Sequence, residues 1–191
     1  MAKTNNSLTM SPVRLRRMIY AAMYLALALV LPFVTGQIPE IGRKLCPMHL
    51  PVLLCGFMCG FPYGAAVGFI APVLRSALFS MPPMFPDAVA MTFELATYGG
   101  IAGLLHKLLP SKALYTYLTL IIAMIAGRLV WGTVRLLLTL VDANEFTWGV
   151  FLARAVVEAI PGIILQIAVI PPLVIVMQKA GLSLIKLKAE A

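Results

Sequence analysis

Six ionisable side chains stand inside apolar runs of this chain: Arg75, Glu94, Arg128, Arg135, Arg154 and Glu158. A charge at the centre of a bilayer costs at least ~2.5–3.5 kcal/mol on insertion scales, so each of these needs a partner, water or a ligand. Arg154 and Glu158 are four residues apart and Arg128 and Arg135 seven apart, so each pair shares one helical stripe. Two glutamates can neutralise two of the four arginines. The surplus is what a pocket for an anionic ligand would carry, because a guanidinium grips a carboxylate in a planar, bidentate fashion. Two other uses compete: internal salt bridges that only fix helix packing, and, for Arg135 and Arg154, snorkelling to the interface.

Other polar groups fall near these charges. Thr92 and Thr97 flank Glu94, Trp131 lies three residues beyond Arg128, His49 closes a long polar loop, and Asn144 sits in the loop before the last apolar run. The expected ligand site is therefore Arg75, Glu94, Thr97, Arg128, Trp131, His49, Asn144 and Glu158. No metal or cofactor is expected. Cys55 and Cys59 lie one turn apart on an apolar helix and suit packing, and neither histidine is spaced to complete a metal site.

The elements that must hold these residues are membrane helices. Of the 191 residues, 61% are hydrophobic and only 12% charged, where a soluble domain has roughly 45–50% and ~25%. Mean hydropathy is +0.97. Six apolar segments can be marked off, near 18–34, 48–61, 63–80, 87–105, 113–140 and 148–178. The first is too long for a secretory h-region and is followed by further spans. A span needs about 20 residues, and the second segment falls short. Short or proline-interrupted spans require protein or a water-filled cavity around the irregular backbone. The expectation is an all-α polytopic bundle of six transmembrane helices over 18–178, with a basic cytoplasmic N-terminal segment at 1–17 and a cytoplasmic tail at 179–191.

The net charge of +8 is distributed as an orientation signal and not as a nucleic-acid surface. With the N-terminus inside, the cytoplasmic side holds Lys3, Arg14, Arg16, Arg17, Lys107, Lys112, Lys179, Lys186 and Lys188, and the outer loops hold only Arg43 and Lys44. The positive-inside rule then places both termini in the cytoplasm and the intramembrane charges in the outer half. Pro82, Pro83 and Pro86 stop the third helix and stiffen an outer connection suited to lining a cavity. On the first helix, Ala22 and Ala26 are one turn apart. Small residues at that spacing admit the close approach of another helix in lipid.

With these features in place, the chain resembles the S components of energy-coupling factor (ECF) transporters. The similarity is densest over "LCPMHLPVLLCGFMCGFPYGAAVGFIAPVLRSALFSMPPMFPDAVAMTFELATYGGIAGLL" and extends to the basic N-terminus and the Ala22/Ala26 helix. The resemblance implies a non-catalytic substrate-binding subunit in the plasma membrane of a bacterium. Such a subunit captures a vitamin outside and docks, through the alanine helix, on a transmembrane coupling protein with two ATPases. ATP would be used by those partners. The vitamin most resembling the pattern is pantothenate, whose carboxylate suits the arginine surplus; hydroxymethylpyrimidine and folate are the alternatives. The chain has no Walker A pattern, no H-E-x-x-H pair and no G-x-S-x-G elbow. Two rivals from other classes are a stand-alone secondary transporter and a lipid enzyme working through Glu94 and His49.

Overall fold

The computed structural model describes residues 11–35, 44–139, 149 and 159–185. Among them every regular element is helical. Helix α1 spans Pro12–Val30, with Ser11 capping the Arg14 amide and Pro12 at the first helical position, and it runs into a 3₁₀ turn at Leu31–Thr35. Helix α2 spans His49–Cys59, α3 Phe61–Phe79, α4 Val89–Leu108, α5 Ala113–Leu138 and α6 Ile160–Lys179. Five helical stretches are long and apolar enough to cross a membrane, and α2 is the exception. Against the expected six spans, the described residues hold five long helical stretches and one short apolar helix.

The short helix is the most enclosed. Nine of its residues, from His49 to Cys59, are buried, and α1, α3, α4 and α6 all pack around it. At ~1.5 Å per residue, eleven residues rise only about 16 Å, roughly half the ~30 Å hydrocarbon core. The backbone just before it is irregular, and Cys46, Pro47 and Met48 are buried there. Non-helical backbone of this kind is tolerated at depth only when protein surrounds it. The short span predicted from the sequence is thus an internal stave, which brings His49 down among the other helices.

Glycines hold α2, α3 and α4 together. Gly56, Gly64, Gly68, Gly99 and Gly103 all lie on contact faces where a methyl group has no room. A Cβ on Gly64 would sit 2.4 Å from Gly99 O, one on Gly68 2.2 Å from Leu95 O, and one on Gly103 2.4 Å from Phe61 N. Gly64 and Gly68, like Gly99 and Gly103, form small-xxx-small pairs, the spacing that lets helix backbones touch where lipid provides no hydrophobic drive for association. Gly60 joins α2 to α3 at a φ of +95°, a conformation that a side chain would strain. The core around this slab contains Tyr24, Leu53, Phe57, Leu95, Tyr98, Leu120 and Ile170. The outward faces are apolar instead of charged, with Ile19, Leu129, Ile164 and Val176 all exposed, as lipid requires.

Contacts also fix which chain segments share an end of the bundle. Arg17 Nε donates to Leu184 O at 3.1 Å, and Leu184 N donates to Met58 O at 3.1 Å. The start of α1, the end of α2 and the segment after α6 therefore lie together. At the same end, Gln178 Nε2 is 2.6 Å from His106 Nε2. The opposite end holds the starts of α2 and α4 and the close of α3 and α5.

Replacing Gly68 by leucine should force α3 and α4 apart and destabilise the protein by about 1–3 kcal/mol or more. Ala66→Leu, on an exposed face of the same helix, should stay within about 0.5 kcal/mol. Thermal unfolding of the two variants in detergent would check this; equal melting would refute the close helix contact.

Candidate functional site

At the end where α2 and α4 begin, three helices bring a carboxylate, a guanidinium and an imidazole together. Glu94, in the second turn of α4, places Oε1 3.0 Å from Arg128 Nη1 of α5 and 3.6 Å from His49 Nε2 at the start of α2. Glu94 is 1% exposed and the His49 side chain 3%. Arg128 is 18% exposed, so the pair is largely withdrawn from water, where its attraction is stronger than at a surface and is set against the cost of desolvation.

The surroundings explain why these groups meet. Gly127 precedes Arg128, and a Cβ there would lie 2.7 Å from the Tyr98 ring, so the bare glycine lets α5 close on α4. Tyr98, one turn beyond Glu94, meets His49 edge-on with ring centroids 5.2 Å apart. Arg128 Nη2 also reaches Cys46 Sγ at 3.6 Å, in the irregular segment ahead of α2. Trp131, one turn from Arg128 on the same helix, is buried and packed with Ala90.

The cluster has spare hydrogen-bonding capacity. Both ring nitrogens of His49 and Nε of Arg128 are buried without a hydrogen-bond partner, and Glu94 Oε1 has its ionic contacts but no well-directed hydrogen bond. A neutral imidazole offers one donor and one acceptor, and a guanidinium five donors. Buried polar groups are nearly always satisfied, so the atoms left without a hydrogen-bond partner around this charge pair make the cluster the candidate site.

The other expected site residues have different fates. Arg75, expected here from the convergence of charges, lies elsewhere. It is buried, Nη1 donates to Leu29 O, and the guanidinium carbon sits 5.0 Å from the Phe33 ring centroid and 5.3 Å from that of Phe79. Carbonyls in the last turn of a helix lack an intrahelical partner, and two aromatic faces attract a cation; the end of α1 supplies both. Arg75 fastens α1 to α3. Thr97 turns its hydroxyl to Phe93 O at 2.7 Å and Thr92 to Ala88 O at 2.8 Å, each within its own helix. Arg135 pairs with Asp87 at 3.2 Å. Asn144, Arg154 and Glu158 lie outside the described residues. Ala22 and Ala26 are on the exposed side of α1.

Several contributors went unrecognised in the sequence. Asp87, in the turn just before α4, and Glu94 are seven apart, as Arg128 and Arg135 are on α5, and the antiparallel segments match them acid to base. That shared spacing was a readable signal. Gln166 of α6 is another: an amide within an apolar span, 2% exposed, with Oε1 unpartnered. It lies one turn beyond Gly162, whose Cβ position is 2.7 Å from Lys44 O, so its stripe faces the segment that leads into His49.

Among known families, residues 16–174 match the model for "ECF transporter, substrate-specific component". No curated protein and no solved structure matches the chain.

A buried pair of this kind leaves a clear stability signature. Glu94→Gln or Arg128→Met alone should cost about 3–5 kcal/mol, whereas the double replacement should recover most of that loss. Denaturation of the three variants would measure the coupling; simple additivity would show that the two groups do not interact.

Proposed function

The chain belongs to the family of ECF transporter substrate-specific components, and on that premise we propose that it captures a water-soluble vitamin at the cluster of His49, Glu94 and Arg128. The observation that carries this reading is the largely buried Glu94–Arg128 pair at 3.0 Å with His49 nitrogens and Arg128 Nε left without a hydrogen bond beside it. A charge pair built only to fix packing would have its remaining lone pairs and protons satisfied by the protein. Family membership implies a non-catalytic subunit that works in the membrane with the ECF coupling and ATPase module. In this proposal ATP is consumed by those partners and the chain itself needs no cofactor.

Both termini face the cytoplasm of a bacterial cell, as the lysine and arginine distribution directs, and the cluster then opens toward the exterior. Ala22 and Ala26, on the exposed side of α1, are proposed to receive the coupling protein; small residues there permit close helix contact. Pantothenate is the vitamin suggested by the arginine surplus in the sequence. Arg75 and Arg135 are engaged by other groups, which weakens the case for a carboxylate. A neutral ligand such as hydroxymethylpyrimidine is the second reading, favoured by Glu94 already neutralising Arg128.

The primary test is mass spectrometry of the small molecule that co-purifies with the protein after mild extraction. Arg128→Ala should weaken binding of that molecule by about 2–5 kcal/mol. Arg75→Ala should lower thermal stability but leave affinity within about a factor of two, because it lies outside the cluster. Equal losses from the two changes would move the pocket. Ala22→Leu combined with Ala26→Leu should leave vitamin binding intact and abolish co-purification with the coupling protein; undiminished co-purification would remove that surface from the proposal.

A further inference from the structure

The charge balance around the cluster narrows the ligand, given the binding site proposed above. Arg128 faces Glu94 at 3.0 Å, Arg135 faces Asp87 at 3.2 Å, and Arg75 is spent on the Leu29 carbonyl and two phenylalanine rings. The arginine surplus counted from the sequence thus shrinks once Asp87 is included and Arg75 is set apart: among the described residues Arg128 and Arg135 each face one carboxylate.

A carboxylate entering here would meet Arg128 and Glu94 together. Their oxygen and nitrogen are 3.0 Å apart, so an anion close enough to bind the guanidinium also lies close to a like charge. Attraction and repulsion at similar distances in a dry site largely cancel, and the ligand's own desolvation is left uncompensated. A neutral molecule meets no such opposition. The atoms without a hydrogen-bond partner are mixed in kind: Nε of Arg128, the two ring nitrogens of His49, Glu94 Oε1 beside its ionic contacts, and the Gln166 Oε1 acceptor. Gln166 is the member of this set from α6; it is buried, one turn beyond Gly162, whose Cβ position is 2.7 Å from Lys44 O.

We infer that the ligand is uncharged and presents both hydrogen-bond donors and acceptors, with Gln166 as a specificity-determining contact alongside His49, Glu94 and Arg128. An N–H or O–H of the ligand donates to Glu94 and Gln166, and a ring nitrogen or hydroxyl oxygen accepts from Arg128 or His49. Amino- and hydroxyl-bearing heterocycles satisfy this pattern.

The test uses the full chain in detergent or nanodiscs, equilibrated with an equimolar mixture of pantothenate, folate, hydroxymethylpyrimidine and panthenol. Panthenol shares the pantothenate skeleton but carries a hydroxymethyl group in place of the carboxylate. After washing, the retained molecule is identified by mass spectrometry. Retention of a neutral member, with pantothenate at least about tenfold weaker by calorimetry, is the expected result. Preferential retention of pantothenate or folate overturns the neutral-ligand inference while leaving vitamin capture intact. Retention of none of the four overturns vitamin capture at this site, and this inference with it. Gln166→Leu, which keeps the side-chain bulk, should weaken binding of the retained neutral compound about tenfold without lowering the melting temperature; unchanged affinity removes Gln166 from the site. Glu94→Gln should swing selectivity toward pantothenate over panthenol, since it frees the charge of Arg128, and a preference that does not move would refute the balance of charges.

Discussion

The contact on which the rest of the structure depends is the ion pair between Glu94 and Arg128. Two charges taken out of water are expensive, and their attraction repays the cost only at short range with hydrogen bonds to spare. At 3.0 Å the range is met. Meeting it requires α5 to approach α4 closely, which Gly127 permits by leaving room for the Tyr98 ring. It also requires α4 to be held at a fixed rotation. The glycine contacts of Gly64 and Gly68 with Gly99 and Leu95 do that, since backbones in direct contact have little freedom to turn.

Helix α2 completes the arrangement by being short. A full-length span would carry its polar first residue to the membrane surface. Eleven residues end lower, so His49 enters the same buried layer as Glu94, and the irregular chain before it contributes Cys46 to Arg128. The local irregularity and the polar cluster are therefore one feature: each would be costly in lipid, and each is acceptable because the other helices enclose it.

The arginines illustrate how one residue type serves two purposes. Arg75 has its charge absorbed by a helix-end carbonyl and a pair of aromatic rings, an arrangement that closes α1 onto α3 and leaves nothing aimed at a ligand. Arg128 is held by a carboxylate yet its Nε makes no hydrogen bond, beside a histidine whose two nitrogens make none either. Strength of interaction does not separate the two, because both are mostly withdrawn from solvent and engaged. Unspent hydrogen-bonding capacity does, and it is the property that a binding site needs.

Much of this was legible in the residues alone. Apolar runs interrupted by charge announced membrane helices and named Glu94, Arg128 and His49, because hydropathy and ionisation are properties of each side chain wherever it lies. The short second segment was visible for the same reason. Even the α4–α5 register was present in the matched seven-residue spacings of Asp87 with Glu94 and Arg128 with Arg135, and the small-xxx-small glycines were there to be counted. What the sequence did not contain was the partition of the arginines. Whether Arg75 meets a carboxylate or the end of α1 depends on which faces of separate helices turn toward each other, and that is fixed by backbone contacts between residues distant in the chain. Only the folded bundle decides it, and with it the net charge that a ligand encounters.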